Sequence, residues 1–179
     1  MKAYIVTYHR PTNNPLSSRQ YRLFLDLDGV LVDFEMGVLK TTGRLPMQLQ
    51  LSKMWAHLEH TPNFFEHLPW TKDGQLLWST TQHLQPFILT GLPRGQWAAE
   101  QKRAWCKREL GVDVPVLTCP SKDKADIAWR HLLAHQTPVL IDDRTKYQTR
   151  WEQSGGVFIH HTSAESSIAV LHQLQILCD

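Results

Sequence analysis

Five runs of consecutive apolar residues punctuate the chain: YRLFLDL (21–27), PFILT (86–90), VPVLT (114–118), PVLID (138–142) and GVFIHH (156–161). They are continuous rather than alternating, which is the pattern of strands buried on both faces. Between the later runs the period becomes helical. GQWAAEQKRAWCKREL (95–110) is rich in helix formers and stops at Gly111, a residue suited to a left-handed helix end. SKDKADIAWRHLLAHQ (121–136) predicts a helix capped by Ser121, with Ile127, Ala128, His131 and Leu132 on its apolar face. TSAESSIAVLHQLQIL (162–177) places Thr162 and Glu165 at capping-box spacing, and Ile168, Leu171, Leu174 and Leu177 form its core stripe. Strand alternating with helix predicts an α/β fold with a parallel sheet, in which ligands bind beyond the carboxyl ends of the strands.

The rhythm stops between residues 35 and 83. There MQLQLSKMWAHLEH (47–60) reads as helical, TPNFFEHLPW as an aromatic turn, and DGQLLWSTTQHL as another helix. A helical cap (35–83) inserted into a core domain (1–34 and 84–179) is the expected organisation. PTNNPLSS (11–18) is a loop by composition, and the short piece before it is expected to dock as an edge strand or a lid.

Composition narrows the function classes. A chain of 179 residues, 42% hydrophobic and 20% charged, has the makings of one globular domain with a small insert. A net charge of +2 is too mild for a nucleic-acid groove, yet compatible with an anionic small molecule held by a few placed cations. Cys106, Cys119 and Cys178 are widely spaced and read as free thiols. No stretch has a signal-peptide core or membrane-spanning length, so a cytoplasmic protein is expected. His57 and His60 share a helix face, and His160 and His161 point to opposite sides of a strand. No Cys or His cluster has zinc-ligand spacing, so the ten histidines read as surface or packing residues.

The strand ends carry the chemistry. The first closes on Asp26-Leu27-Asp28-Gly29, the second on Thr90-Gly91, the fourth on Asp142-Asp143, and Lys122 and Lys124 follow the third. Carboxylates at the ends of buried strands are costly unless paired or holding a cation. If the strands are parallel neighbours, these groups meet on one rim. Oxygen donors of this kind suit Mg²⁺, which shares its shell with waters and a substrate phosphate. Thr90 and backbone N–H groups near Gly91 are then placed for phosphate oxygens, and a lysine offsets the remaining charge.

The ordered set DLDGV, ILTG, a lysine within SKDK, and LIDD resembles the four motifs of the haloacid dehalogenase superfamily of phosphohydrolases, over residues 21 to 161. The resemblance implies a Rossmann-like three-layer sandwich with a cap between the first two motifs. It implies Asp26 as nucleophile and Asp28 as general acid and base. It also implies Mg²⁺ held by the Asp26 carboxylate, the Asp28 carbonyl and the Asp142/Asp143 pair, and phosphate held by Thr90, Gly91 and Lys124. Within that superfamily, DLDGVLVDFE and FFEHLP look like motifs of the 5′(3′)-deoxyribonucleotidases. That closer likeness implies a nucleoside monophosphate substrate, with Phe34, Phe64, Phe65 and Trp70 as a base-stacking wall. Trp97, Trp105, Trp129 and Trp151 lie outside the cap and read as core. The alternatives are a polynucleotide-end or sugar-phosphate phosphatase, a non-catalytic phosphate-binding module, and a DxD glycosyltransferase. The last is disfavoured by the lysine and the second acidic pair.

Overall fold

The computed structural model describes residues 20–178. The N-terminal piece expected to dock as a strand or lid lies outside the described residues. Each apolar run becomes a strand: β1 (Tyr21–Leu25), β2 (Phe87–Gly91), β3 (Val116–Cys119), β4 (Thr137–Asp142) and β5 (Val157–His160). All pair in parallel in the order β3-β2-β1-β4-β5. β1 is therefore central. Leu25 faces Ile88 of β2 on one side and Ile141 of β4 on the other, so the ends of these three strands are neighbours.

Alternate residues of each strand serve opposite faces, and both faces are covered. Leu23, Leu25, Ile88, Val139 and Ile141 point into the larger core. That core is closed by α1 (Phe34–Thr42), α2 (Leu51–Glu59), α3 (Gly74–Thr81), α4 (Trp97–Glu109) and α7 (Ala164–Gln173). Phe24, Leu89 and Leu140 point the other way, toward Ala125 and Ala128 of α5 (Lys124–Trp129) and Trp151 of α6 (Gln148–Gln153). The result is a Rossmann-like three-layer sandwich. No described helix is long and apolar enough to cross a membrane.

Some local expectations are corrected. The helix expected over 121–136 is a 3-10 turn (Ser121–Asp123) followed by α5, which ends at Trp129. Its last bonds tighten to the i+3 type, Arg130 N–H to Ile127 and His131 N–H to Ala128. Leu133 beyond it is 58% exposed, because the sheet face is already covered by α6 and leaves no apolar site for another turn. The final helix is capped by Ser163 and Ser166, whose hydroxyls each accept from the other's N–H, and not by Thr162 and Glu165. It stops at Gln173, where Gln175 turns left-handed (φ 57°) and Ile176 N–H donates to Leu171 O. Ile176 and Leu177 are buried beyond that turn. The short α6 was not foreseen. In the region read as a cap, α3 packs against α7, and the Asp73 carboxylate accepts from Ala164 N–H at 2.6 Å, capping α7 from outside.

Candidate active site

Asp26 continues the line of β1, and its N–H donates to Ile141 O of β4 at 2.9 Å. The chain then reverses. Leu27 O accepts from Leu31 and Val32 N–H, each at 2.9 Å, and Gly29 N–H donates to Val32 O at 2.8 Å. This knot folds Asp28 back over the end of the strand. Gly29 sits at φ +80°, and a Cβ there would collide with the Asp143 carboxylate. Glycine is thus required for the turn and for the close approach of β4's acidic end.

Asp142 ends β4 beside this knot, and its Oδ1 accepts from Arg144 N–H at 2.8 Å. Lys124, first residue of α5 and 5% exposed, donates to Asp142 Oδ2 at 2.6 Å and lies 3.0 Å from Asp26 Oδ1. Lys122 stays exposed and makes no such pair. Burial works against the Lys124 charge, but Asp26 and Asp142 outweigh it and raise its pKa.

Asp26, Asp142 and Asp143 each offer an oxygen within 4.8 Å of the others, and no other such cluster occurs among the described residues. Burial, then the charges of Asp26 and Asp142, push the Asp143 carboxyl up to about 7. Burial and Asp26 likewise raise Asp142. Asp143 Oδ1 is buried with no hydrogen-bond partner. Crowded carboxylates, an orphaned oxygen and an all-oxygen donor set fit a hard divalent cation, whose charge would remove the repulsion. The histidines take other parts: His60 Nδ1 bonds Ala56 O and His161 Nδ1 bonds Ser167 Oγ.

Lys102 is the residue the sequence reading missed. It projects from α4 and is 0% exposed. Its ammonium donates to Asp28 Oδ2 at 2.5 Å, Thr90 Oγ1 at 2.9 Å and Gly91 O at 2.9 Å, and lies 4.5 Å from the centre of the Phe65 ring. Its signal was present. Lys102 falls in the stripe Ala98, Lys102, Trp105, Cys106, where every other member is buried and apolar. A lysine there needs a buried partner, and Asp28 supplies it. Asp28 keeps 28% of its side chain exposed, while its Oδ1 is buried and unpartnered. Burial raises its pKa despite the opposing pull of Lys102. Thr90 is fully buried, and Ser121 lies so close over Gly91 that a Cβ there would strike its hydroxyl.

Of the four aromatic residues expected to form an open wall, Phe34, Phe64 and Phe65 close on one another, and Trp70 packs on α4. Phe64 and Phe65 are 4% and 2% exposed. Phe34 stacks on Phe65 (6.1 Å between centroids) and packs against Phe64 and Trp55. Trp70 rests on Trp105 and donates to Glu109 Oε2 at 2.9 Å. Backbone groups of this turn are strapped to α4 as well: Phe65 N–H to Gln101, Leu68 O to Trp105, Glu66 O to Arg108. None of the four lines the cavity at Asp26. Phe64, Phe65 and Trp70 lie within one ten-residue turn, and they remove apolar area from water by packing on Phe34 and on Trp97 and Trp105 of α4. Asp33 caps α1, accepting from Met36 N–H at 2.8 Å.

That cavity has a volume of about 310 Å³. Asp26, Asp142 and Lys124 line it together with residues of the segments that open α5 and α6.

No protein-family model matches the chain, and no curated protein matches it by sequence. Among solved structures, the chain is similar to a hydrolase from Streptococcus pneumoniae TIGR4, at 14% identity and a TM-score of 0.52. The match covers 89% of this chain and 100% of the other. At that identity the likeness is one of fold: a Rossmann-like α/β sandwich on a parallel sheet.

Proposed function

We propose that this chain is a Mg²⁺-dependent phosphomonoesterase of the haloacid dehalogenase type that works through an aspartyl-phosphate on Asp26. The observation that carries the reading is the meeting of Asp26, Asp142 and Asp143 with the buried Lys124 at the ends of adjacent parallel strands, with Asp28 one knot beyond. The hydrolase activity of the Streptococcus pneumoniae structural neighbour agrees with it.

In the first step an Asp26 oxygen bonds to phosphorus while the bond to the leaving oxygen breaks. The Asp28 carboxyl, whose proton is favoured by burial, passes that proton to the leaving alkoxide. In the second step the Asp28 carboxylate takes a proton from a water, which attacks phosphorus and releases Asp26. Lys124 holds the Asp26 carboxylate in place and offsets charge on the phosphoryl oxygens. Asp26, Asp142 and Asp143, with the Asp28 carbonyl, would hold Mg²⁺, which would supply charge neutralisation when bound. General acid–base work by Asp28 accounts for about 10²–10⁴ in rate. The remainder falls to positioning and electrostatics.

The leaving group is of nucleoside or sugar size, in keeping with a cavity of about 310 Å³. A nucleoside monophosphate remains the proposed substrate type, held in that cavity rather than on the cap aromatics. The test is phosphate release across nucleotides, sugar phosphates and a small aryl phosphate, with Mg²⁺ and with chelator. Asp26→Asn is expected to lower turnover at least 10⁴-fold with the fold intact. Near-normal turnover by that variant, or full activity in excess EDTA, would refute the proposal.

A further inference from the structure

We infer that the cleft lined by Asp26 and by the segments that open α5 and α6 holds a second phosphate, so that the preferred substrates are small phosphomonoesters whose leaving group itself carries a phosphate. This rests on the phosphomonoesterase reading and goes on to specify its substrate.

The lining of the cavity contains five cations, Lys122, Lys124, Arg144, Lys146 and Arg150, against two carboxylates, Asp26 and Asp142. Lys124 is engaged with both carboxylates. Arg150 reaches Asp126 at 2.7 Å. Lys122, Lys146 and the Arg144 guanidinium have no acidic partner within ion-pair distance among the described residues. They come from the two walls: Lys122 from the turn before α5, Arg144 and Lys146 from the segment before α6. A single transferring phosphate beside Asp26 is already served by Lys124 and the cation site. The Arg144 charge already acts on Asp143, but a neutral nucleoside or sugar in the cleft would leave the exposed Lys122 and Lys146 facing solvent. A second phosphate on that group answers them, and lysine and arginine are the side chains that bind it.

The same cavity limits the source of that phosphate. Its volume of about 310 Å³ matches one nucleotide or sugar, not a strand. Its rings, Tyr147, Trp151 and Phe158, include a Trp151 that is buried against Phe24 and hydrogen-bonded to Val157 O, so they form no row for successive bases. A free bisphosphate is therefore favoured over a nucleic-acid end.

The test compares kcat/KM for a nucleoside 3′,5′-bisphosphate and a sugar bisphosphate with the matching monophosphates and with a 3′-phosphorylated oligonucleotide. The bisphosphates should exceed the monophosphates by tenfold or more, and the gap should shrink as salt rises. Lys122→Ala combined with Lys146→Ala, both on the surface, should lower kcat/KM for the bisphosphate at least tenfold more than for the monophosphate. Equal use of mono- and bisphosphate by the native chain, or equal losses in the double variant, would overturn the inference. A preference for the oligonucleotide would overturn the small-molecule assignment. If no ester is hydrolysed at all, the phosphatase reading fails by itself. Calorimetric binding of the same bisphosphate and monophosphate to Asp26→Asn then decides the cleft: tighter bisphosphate binding that is lost with the two lysines supports it, and equal binding refutes it.

Discussion

Replacing Lys102 with methionine keeps the length and apolar stem of the side chain and removes only its charge and donors. Three acceptors lose their partner at once: Asp28 Oδ2, Thr90 Oγ1 and Gly91 O. Removing one member of a buried ion pair costs about 3–5 kcal/mol, because the other charge stays behind. Asp28 relieves part of this, since 28% of its side chain reaches solvent and it can take up a proton. The expected loss of stability is therefore about 2–4 kcal/mol at neutral pH. Lys102 is the main charge that lowers the Asp28 pKa, against burial that raises it. Without it the carboxyl rises further. The folded state then binds this proton more tightly than the unfolded state, so the variant should become less stable as pH rises through that window and recover on acidification. Asp28 would also remain a competent acid but become a poor base at neutral pH, slowing the attack of water by up to about 10²–10⁴. Urea unfolding at several pH values and a pH–rate profile test both parts. An unfolding free energy within about 0.5 kcal/mol of the native chain, together with an unmoved pH profile, would refute the assignment of Lys102 as the residue that positions Asp28.

Other outcomes follow from the same geometry. Asp143, raised to about 7 by burial, Asp26 and Asp142, makes the metal-free fold bind a proton that the unfolded chain releases near 4. Metal-free stability should therefore fall as pH rises from about 4 to 7, and Mg²⁺ should raise Tm more at pH 8 than at pH 6; scanning fluorimetry showing equal shifts would count against the three-aspartate site. Phe34→Ala should cost about 2–3 kcal/mol, measured by denaturant unfolding, because its ring packs on Trp55, Phe64 and Phe65. It should lower activity on a nucleotide and on a small aryl phosphate alike; a loss confined to the nucleotide would restore the stacking wall.

The strands were legible in the sequence because burial on both faces leaves an unbroken apolar run, and such a run needs no knowledge of its neighbours. All five lie within two residues of where the runs place them. The acidic strand ends were legible for a similar reason. Asp26, Asp28, Asp142 and Asp143 stand where a chain without a use for them would place neutral residues. Their meeting followed once the strands were taken as parallel neighbours. What the sequence left open depends on contacts between distant segments. Lys102 and Asp28 are separated by 74 positions, and only the packing of α4 across the end of β1 makes one the partner of the other. The aromatic turn had two possible faces, substrate or body, and hydrogen bonds to Gln101, Trp105 and Arg108 turn it to the body. The helix after Ser121 stops early because α6, unseen in the pattern, already covers the sheet beside it. The basic cleft joins residues near 122, which follow β3, to residues near 146, which follow β4, and those strands are not neighbours in the sheet. Local periodicity determines whether a segment is a strand or a helix. Which face it buries, and which charge it meets there, is decided by partners that arrive only with the fold.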